Sequence, residues 1–160
     1  RGNPNGGCVF RSAGAKPPEL LMSGEVVMAT GWNGRFFNAI MDGAPLTQVW
    51  DGQGLDYQYM VVVKGGPNEA DAMKAIKEMM STEGLAGSAK HIAYAPFRKS
   101  SLAVIESGEP WYKDGKTNML PEMPTSEGNT KKYFLVDSVY WADNGTELGE
   151  KWTAMTAGLK

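Results

Sequence analysis

The chain has 160 residues, 42% of them hydrophobic and 21% charged, a length and balance that suit one globular domain and exclude disorder as a description of the whole. Sixteen basic and eighteen acidic side chains leave a net charge of −2, and no block of like charge offers a nucleic-acid grip or a basic membrane-surface helix. No apolar run approaches the ~20 residues that span a bilayer, and a single cysteine, Cys8, excludes an internal disulfide or a multi-thiolate metal site and reads as an idle or buried thiol.

In chain order, residues 1–14 are rich in Gly, Asn and Ser and read as a loose segment. Pro17-Pro18 opens a short helix, because proline costs nothing in a first helical turn, and Ser23-Gly24 closes it. Residues 25–30 (EVVMAT) form a β-branched apolar run, the pattern of a buried strand. After Gly31-Trp32-Asn33-Gly34, the residues Phe36, Phe37, Ile40 and Met41 fall on one helical stripe. A short strand is expected at 46–50, and 55–64 (LDYQYMVVVK) reads as a strand carrying Asp56, Gln58 and Met60 on one face. A helix follows with Asn68 as N-cap, Asp71 completing an approximate capping box, and Met73, Ile76, Met79 and Met80 as its buried stripe. Helices are also predicted at 82–90 and 100–105, a Pro- and Gly-punctuated loop at 109–129, and an amphipathic helix marked by Leu148, Trp152 and Met155. Strand, loop and helix in this order predict an α/β fold with a parallel sheet.

Most chemistry is excluded by what these residues lack. The lone His91 has no GxSxG or comparable context, and one His with one Cys cannot hold structural zinc. Lys64-Gly65-Gly66-Pro67-Asn68 lacks Walker spacing and reads as a plain strand-to-helix turn. Asp51-Gly52-Gln53-Gly54 and Asp143-Asn144-Gly145 lack a calcium loop's carboxylate ladder and also read as turns. What remains is a set of aromatic, amide and acidic residues expected at strand ends, where open α/β sheets bind ligands: Trp32-Asn33, Trp50-Asp51, residues 56–59, Tyr94, and Tyr140-Trp141 with Asp143. Aromatic faces and carboxylates suit an amine-bearing ligand; filling a core is the competing use of the same aromatics.

Six blocks in order resemble the periplasmic spermidine/putrescine-binding proteins, the solute receptors of ABC transporters. They are Lys16-Pro17-Pro18-Glu19-Leu20-Leu21 with Ser23-Gly24-Glu25-Val26; Trp32-Asn33-Gly34-Arg35; Gly43-Ala44-Pro45; Lys64-Gly65-Gly66-Pro67-Asn68 with the helix after it; Tyr94-Ala95-Pro96; and Tyr140-Trp141-Ala142-Asp143-Asn144. The resemblance runs from about Ser12 to the C-terminus. It implies a two-lobed, type II periplasmic-binding-protein-like α/β fold, of which this chain is the C-terminal portion. A small amine, foremost putrescine or spermidine, would be held in the cleft and delivered to an ABC permease, without catalysis or a cofactor, in the periplasm. It implies that Trp32 packs on the ligand's methylene chain and that Tyr94 lines the cleft. Gln58 stands where the family places an acid, with Asp56 on the same face as its substitute, and Trp141 and Asp143 are further candidates.

Gln58 in place of a carboxylate also opens a different ligand, such as an opine or an amino acid derivative. An enzyme using Asp56, Asp143 or Glu147 as general acid or base, and an interaction module, are readings of other classes. The expected division gives 1–54 to the second lobe, 55–97 to the hinge crossing and part of the first lobe, and 98–160 to C-terminal helices and loops. A chain shorter than the family, opening on Arg1, is expected to be part of a longer fold. The missing half would come from further chain, a second polypeptide or a swapped copy.

Overall fold

The structure, a computed structural model, describes residues 7–10, 13–107 and 109–158. The expected loose segment at 1–14 therefore lies largely outside the described residues. Helix α1 (Lys16–Met22) carries Pro17 and Pro18 in its first turn, as the sequence predicts. Helix α2 (Asn33–Met41) buries Phe37 from the predicted stripe.

Strand β1 (Gln53–Leu55) is followed by helices α3 (Glu69–Met79), α4 (Thr82–Ser88) and α5 (Lys99–Ile105), then strand β2 (Tyr133–Leu135) and helix α6 (Ser138–Ala157). A 3-10 turn, Leu120–Glu122, lies inside the predicted loop. The strands pair in parallel, Gln53 opposite Tyr133 and Leu55 opposite Leu135. Gly52 N–H to the Lys132 carbonyl and Val136 N–H to the Leu55 carbonyl extend the ladder at each end. Glycine is required at position 54, where a Cβ would stand 2.8 Å from the Phe134 ring.

The fold is α/β with a parallel sheet, but three predicted strands are not formed. Residues 25–30, 46–50 and 56–63 carry no ladder among the described residues. The reason is that a strand needs a neighbour for its N–H and C=O groups, which no described segment supplies to them. β2 lies outside every predicted strand, and α6 starts ten residues before its predicted marker Leu148. Tyr140, Trp141 and Asp143 are thus helical, not at a strand end, and Asp143-Asn144-Gly145 is no turn. Asn68 makes no side-chain cap bond, so the capping box does not form. The α3 stripe is not buried, Met73 and Met79 being exposed, because no described element covers that face. Ser81 caps α4 instead, its Oγ accepting from Gly84 N–H at 3.0 Å.

Among the described residues a core is formed by Phe37, Ala89, Ala93, Ile105, Tyr112, Met119 and Met123. Phe37 and Tyr112 meet edge to face at 5.2 Å, the favoured aromatic geometry. The helices α4 and α5 are tied by buried Ser101, whose hydroxyl donates to the Thr82 carbonyl at 2.8 Å. Trp111 Nε1 donates to the Ala86 carbonyl at 2.7 Å, and Lys90 Nζ sits 4.4 Å from the centre of the same ring. Gln53 donates to the Pro124 and Asn129 carbonyls, which fastens β1 to the loop that carries Met119 and Met123.

Candidate functional site

The site is built on the first turn of α2. Trp32 is its N-cap, in extended conformation and with no side-chain cap bond. Its indole covers Gly14, where a Cβ would collide with the ring, yet the residue stays 59% exposed. Asn33 Nδ2 donates to the Ala93 carbonyl, pinning the 92–95 segment against the turn. Gly34 admits that segment: a Cβ there would lie 2.7 Å from Ile92 Cγ1 and 2.8 Å from Tyr94 Cε1 and Cζ. Tyr94, 40% exposed, is thereby laid across the same helical turn that Trp32 caps.

Arg35 is the residue in this turn that the sequence reasoning left without a role. It is exposed, and no carboxylate among the described residues pairs with it. A guanidinium with forked donors on a helix's first turn, where the helix dipole also favours negative charge, suits an anion. The signal was available in the block Trp32-Asn33-Gly34-Arg35, but a search for acids to bind an amine passes over a cation.

The other predicted residues are placed elsewhere. Asp56 and Gln58 stand exposed just beyond β1, in the stretch that carries no ladder. Trp141 and Asp143 lie one turn into α6, and Trp141 lines an apolar groove of about 420 Å³ along that helix with Gly145, Leu148, Trp152 and Met155. The structure thus places Trp32 and Tyr94 at the first turn of α2. Asp56, Gln58, Trp141 and Asp143 do not join that turn by any described contact. No group of three or more His, Cys, Asp or Glu residues among the described residues suits a metal ion.

Residues 2–125 match the sequence profile of bacterial extracellular solute-binding proteins. The chain belongs to that family. A gamma-aminobutyric acid-binding protein of Pseudomonas aeruginosa is 34% identical over 145 residues, which cover 91% of this chain and 38% of the relative. Among solved structures, a GABA receptor superposes with a TM-score of 0.67 at 25% identity, over 91% of this chain and 42% of that one. A binding protein of A. tumefaciens B6 in complex with glucopine gives a TM-score of 0.69 at 26% identity, over 86% of this chain and 40% of that one. The chain spans about two fifths of the length of these relatives. Solute-binding proteins of this family are not enzymes, so the acid–base roles weighed for Asp56, Asp143 and Glu147 find no support. They are extracellular or periplasmic, and no described helix is long and apolar enough to cross a membrane.

Proposed function

We propose that the chain is part of the solute-binding component of an ABC importer, delivering its ligand to a permease, and that the ligand carries both an amine and a carboxylate. A GABA-like amino acid or an opine fits the first turn of α2 better than putrescine or spermidine. The observation that carries this reading is Arg35, exposed and without a carboxylate partner among the described residues, in the helical turn that Trp32 caps and Tyr94 contacts. A cation at this turn attracts a carboxylate and repels a polyamine, whose charged groups are all ammonium. Gln58, where the resembling receptors place an acid, removes one ammonium partner and favours the same side. The ligands named for the relatives agree: GABA and glucopine.

In this reading Trp32 and Tyr94 hold the apolar body of the ligand, Arg35 takes the carboxylate, and Asp56 receives the amine from the stretch just beyond β1. Trp141 and Asp143 are left as outer candidates on α6. The chain crosses to a first lobe within 55–64. Binding between lobes would then shift a hinge equilibrium toward closure.

Calorimetric titration of GABA, glucopine and putrescine tests the ligand class. The expected order places both carboxylate-bearing ligands ahead of putrescine. Arg35→Ala should weaken them by about 10- to 100-fold, the range of a lost charge-assisted hydrogen bond, and leave putrescine no weaker. Equal or tighter binding of putrescine to the unaltered chain overturns the reading.

A further inference from the structure

We propose, resting on the reading of Trp32 and Tyr94 as ligand contacts, that Asn33 is a positioning residue of the site: it sets the direction in which Tyr94 leaves the backbone and does not itself touch the ligand. Asn33 is the first residue of α2, and Trp32 before it is the N-cap. Asparagine is a weaker helix former than alanine, so α2 gains nothing from an asparagine there. The side chain instead reaches a residue 60 positions along the chain, Nδ2 donating to the Ala93 carbonyl. A carbonyl only accepts, which fixes the nitrogen as the atom that faces it.

The Ala93 carbonyl belongs to the planar peptide unit that joins Ala93 to Tyr94. The N–H of the same unit, that of Tyr94, donates to the Ile92 carbonyl at 2.9 Å and closes a three-residue turn of the γ type centred on Ala93. Both polar groups of this one plane are therefore held, one by the turn itself and one by Asn33. Ala93 is fully buried, so its carbonyl cannot exchange the Asn33 amide for water unless the turn moves. Lys113 N–H, donating to the Lys90 carbonyl at 2.9 Å, and the buried Pro96 anchor the two ends of the segment. Between those anchors the 93–94 plane decides where the ring goes. Rotating it swings the Tyr94 ring away from Gly34, where Cε1 and Cζ sit 2.8 Å from the place a Cβ would take. A ligand that packs on Tyr94 is held only by molecules in which the plane is set, and its apparent affinity falls with that fraction.

Calorimetric titration of GABA against the full chain, with Asn33→Ala, Tyr94→Ala and the double variant, tests this. Asn33→Ala should weaken GABA binding by about 3- to 10-fold, the range of one neutral hydrogen bond. In the Tyr94→Ala background it should weaken binding no further, because a residue that acts through Tyr94 then has nothing to act through. A merely structural role would lower affinity by the same factor in both backgrounds. Hydrogen exchange without ligand gives a second readout: Asn33→Ala should speed exchange of the Tyr94 amide and leave that of Ile105 unchanged. Unchanged GABA affinity or unchanged Tyr94 exchange in Asn33→Ala, or equal losses in the two backgrounds, overturns the proposal. Undiminished GABA binding by Tyr94→Ala would instead overturn the reading of the site on which Asn33 depends, so the two failures are told apart.

Discussion

Gly34 and Arg35 show how two neighbouring residues divide one task. The missing side chain at 34 lets Tyr94 reach the helix, and the present one at 35 supplies charge. Gly34→Ala puts a methyl group 2.8 Å from Tyr94 ring carbons, so the 92–95 segment must move. The expected cost is about 1–3 kcal/mol, the range for overpacking, read as a lower chemical-denaturation midpoint together with weaker ligand binding. At a different site, Thr117 Oγ1, Thr117 N–H and Lys116 N–H bond to the Asp114 carboxylate and hold it below its ordinary value of about 3.8. A group depressed in the folded state stabilises above its unfolded pKa, and that contribution is lost as pH falls through the folded one. Asp114→Asn should therefore lower the melting temperature at pH 7, and the gap to the unaltered chain should close below about pH 4. Asp114 lies in a segment that the sequence marks only as loop. Its turn depends on which hydroxyl and N–H groups come within reach, and spacing alone does not say so.

Helices were legible because their signals are local. The proline pair of α1, the Phe37 stripe of α2 and the 100–105 segment all fix their own hydrogen bonds within one turn. Their caps were less so: Asn68 has the right chemistry but no bond, and Ser81, thirteen residues on, makes one. Ser81→Ala should cost about 1 kcal/mol, the usual value of an N-cap, seen in denaturant unfolding. Asp137 caps α6 by accepting from Val139 and Tyr140 N–H, and that Asp-Ser start was readable. Asp143-Asn144-Gly145 obscured it, since those residues favour turns in isolation and are tolerated here inside a long helix. Strands were illegible for the opposite reason. Alternation at 55–64 is real, but a ladder exists only where a partner arrives, and β2, with three exposed residues and no alternation of burial, was set by its distant partner. Of the candidate site, the sequence named Trp32 and Tyr94, which lie at the same helical turn, while Arg35 emerged once the turn had a shape.

At the scale of the molecule, the core is small for 160 residues, so single losses in it weigh heavily. Ile105→Ala, at a fully buried position, should cost about 2–5 kcal/mol, and thermal unfolding would register it as the largest change among the single substitutions named above. Trp111→Phe keeps the ring near Lys90 but removes the bond to the Ala86 carbonyl, at an expected cost of about 1 kcal/mol.

The pairing of β1 with β2 joins Gln53 to Tyr133, closing a loop of roughly 80 residues with only three residue pairs. Closing it costs about 4 kcal/mol of chain entropy beyond a constant term, by the logarithmic law for flexible loops. So short a ladder cannot offset that loss before the intervening helices have condensed and shortened the effective path. The two strands should therefore be the last elements to pair and the first to part. Refolding followed at the Gly52 and Val136 amides should lag behind protection of Ile105.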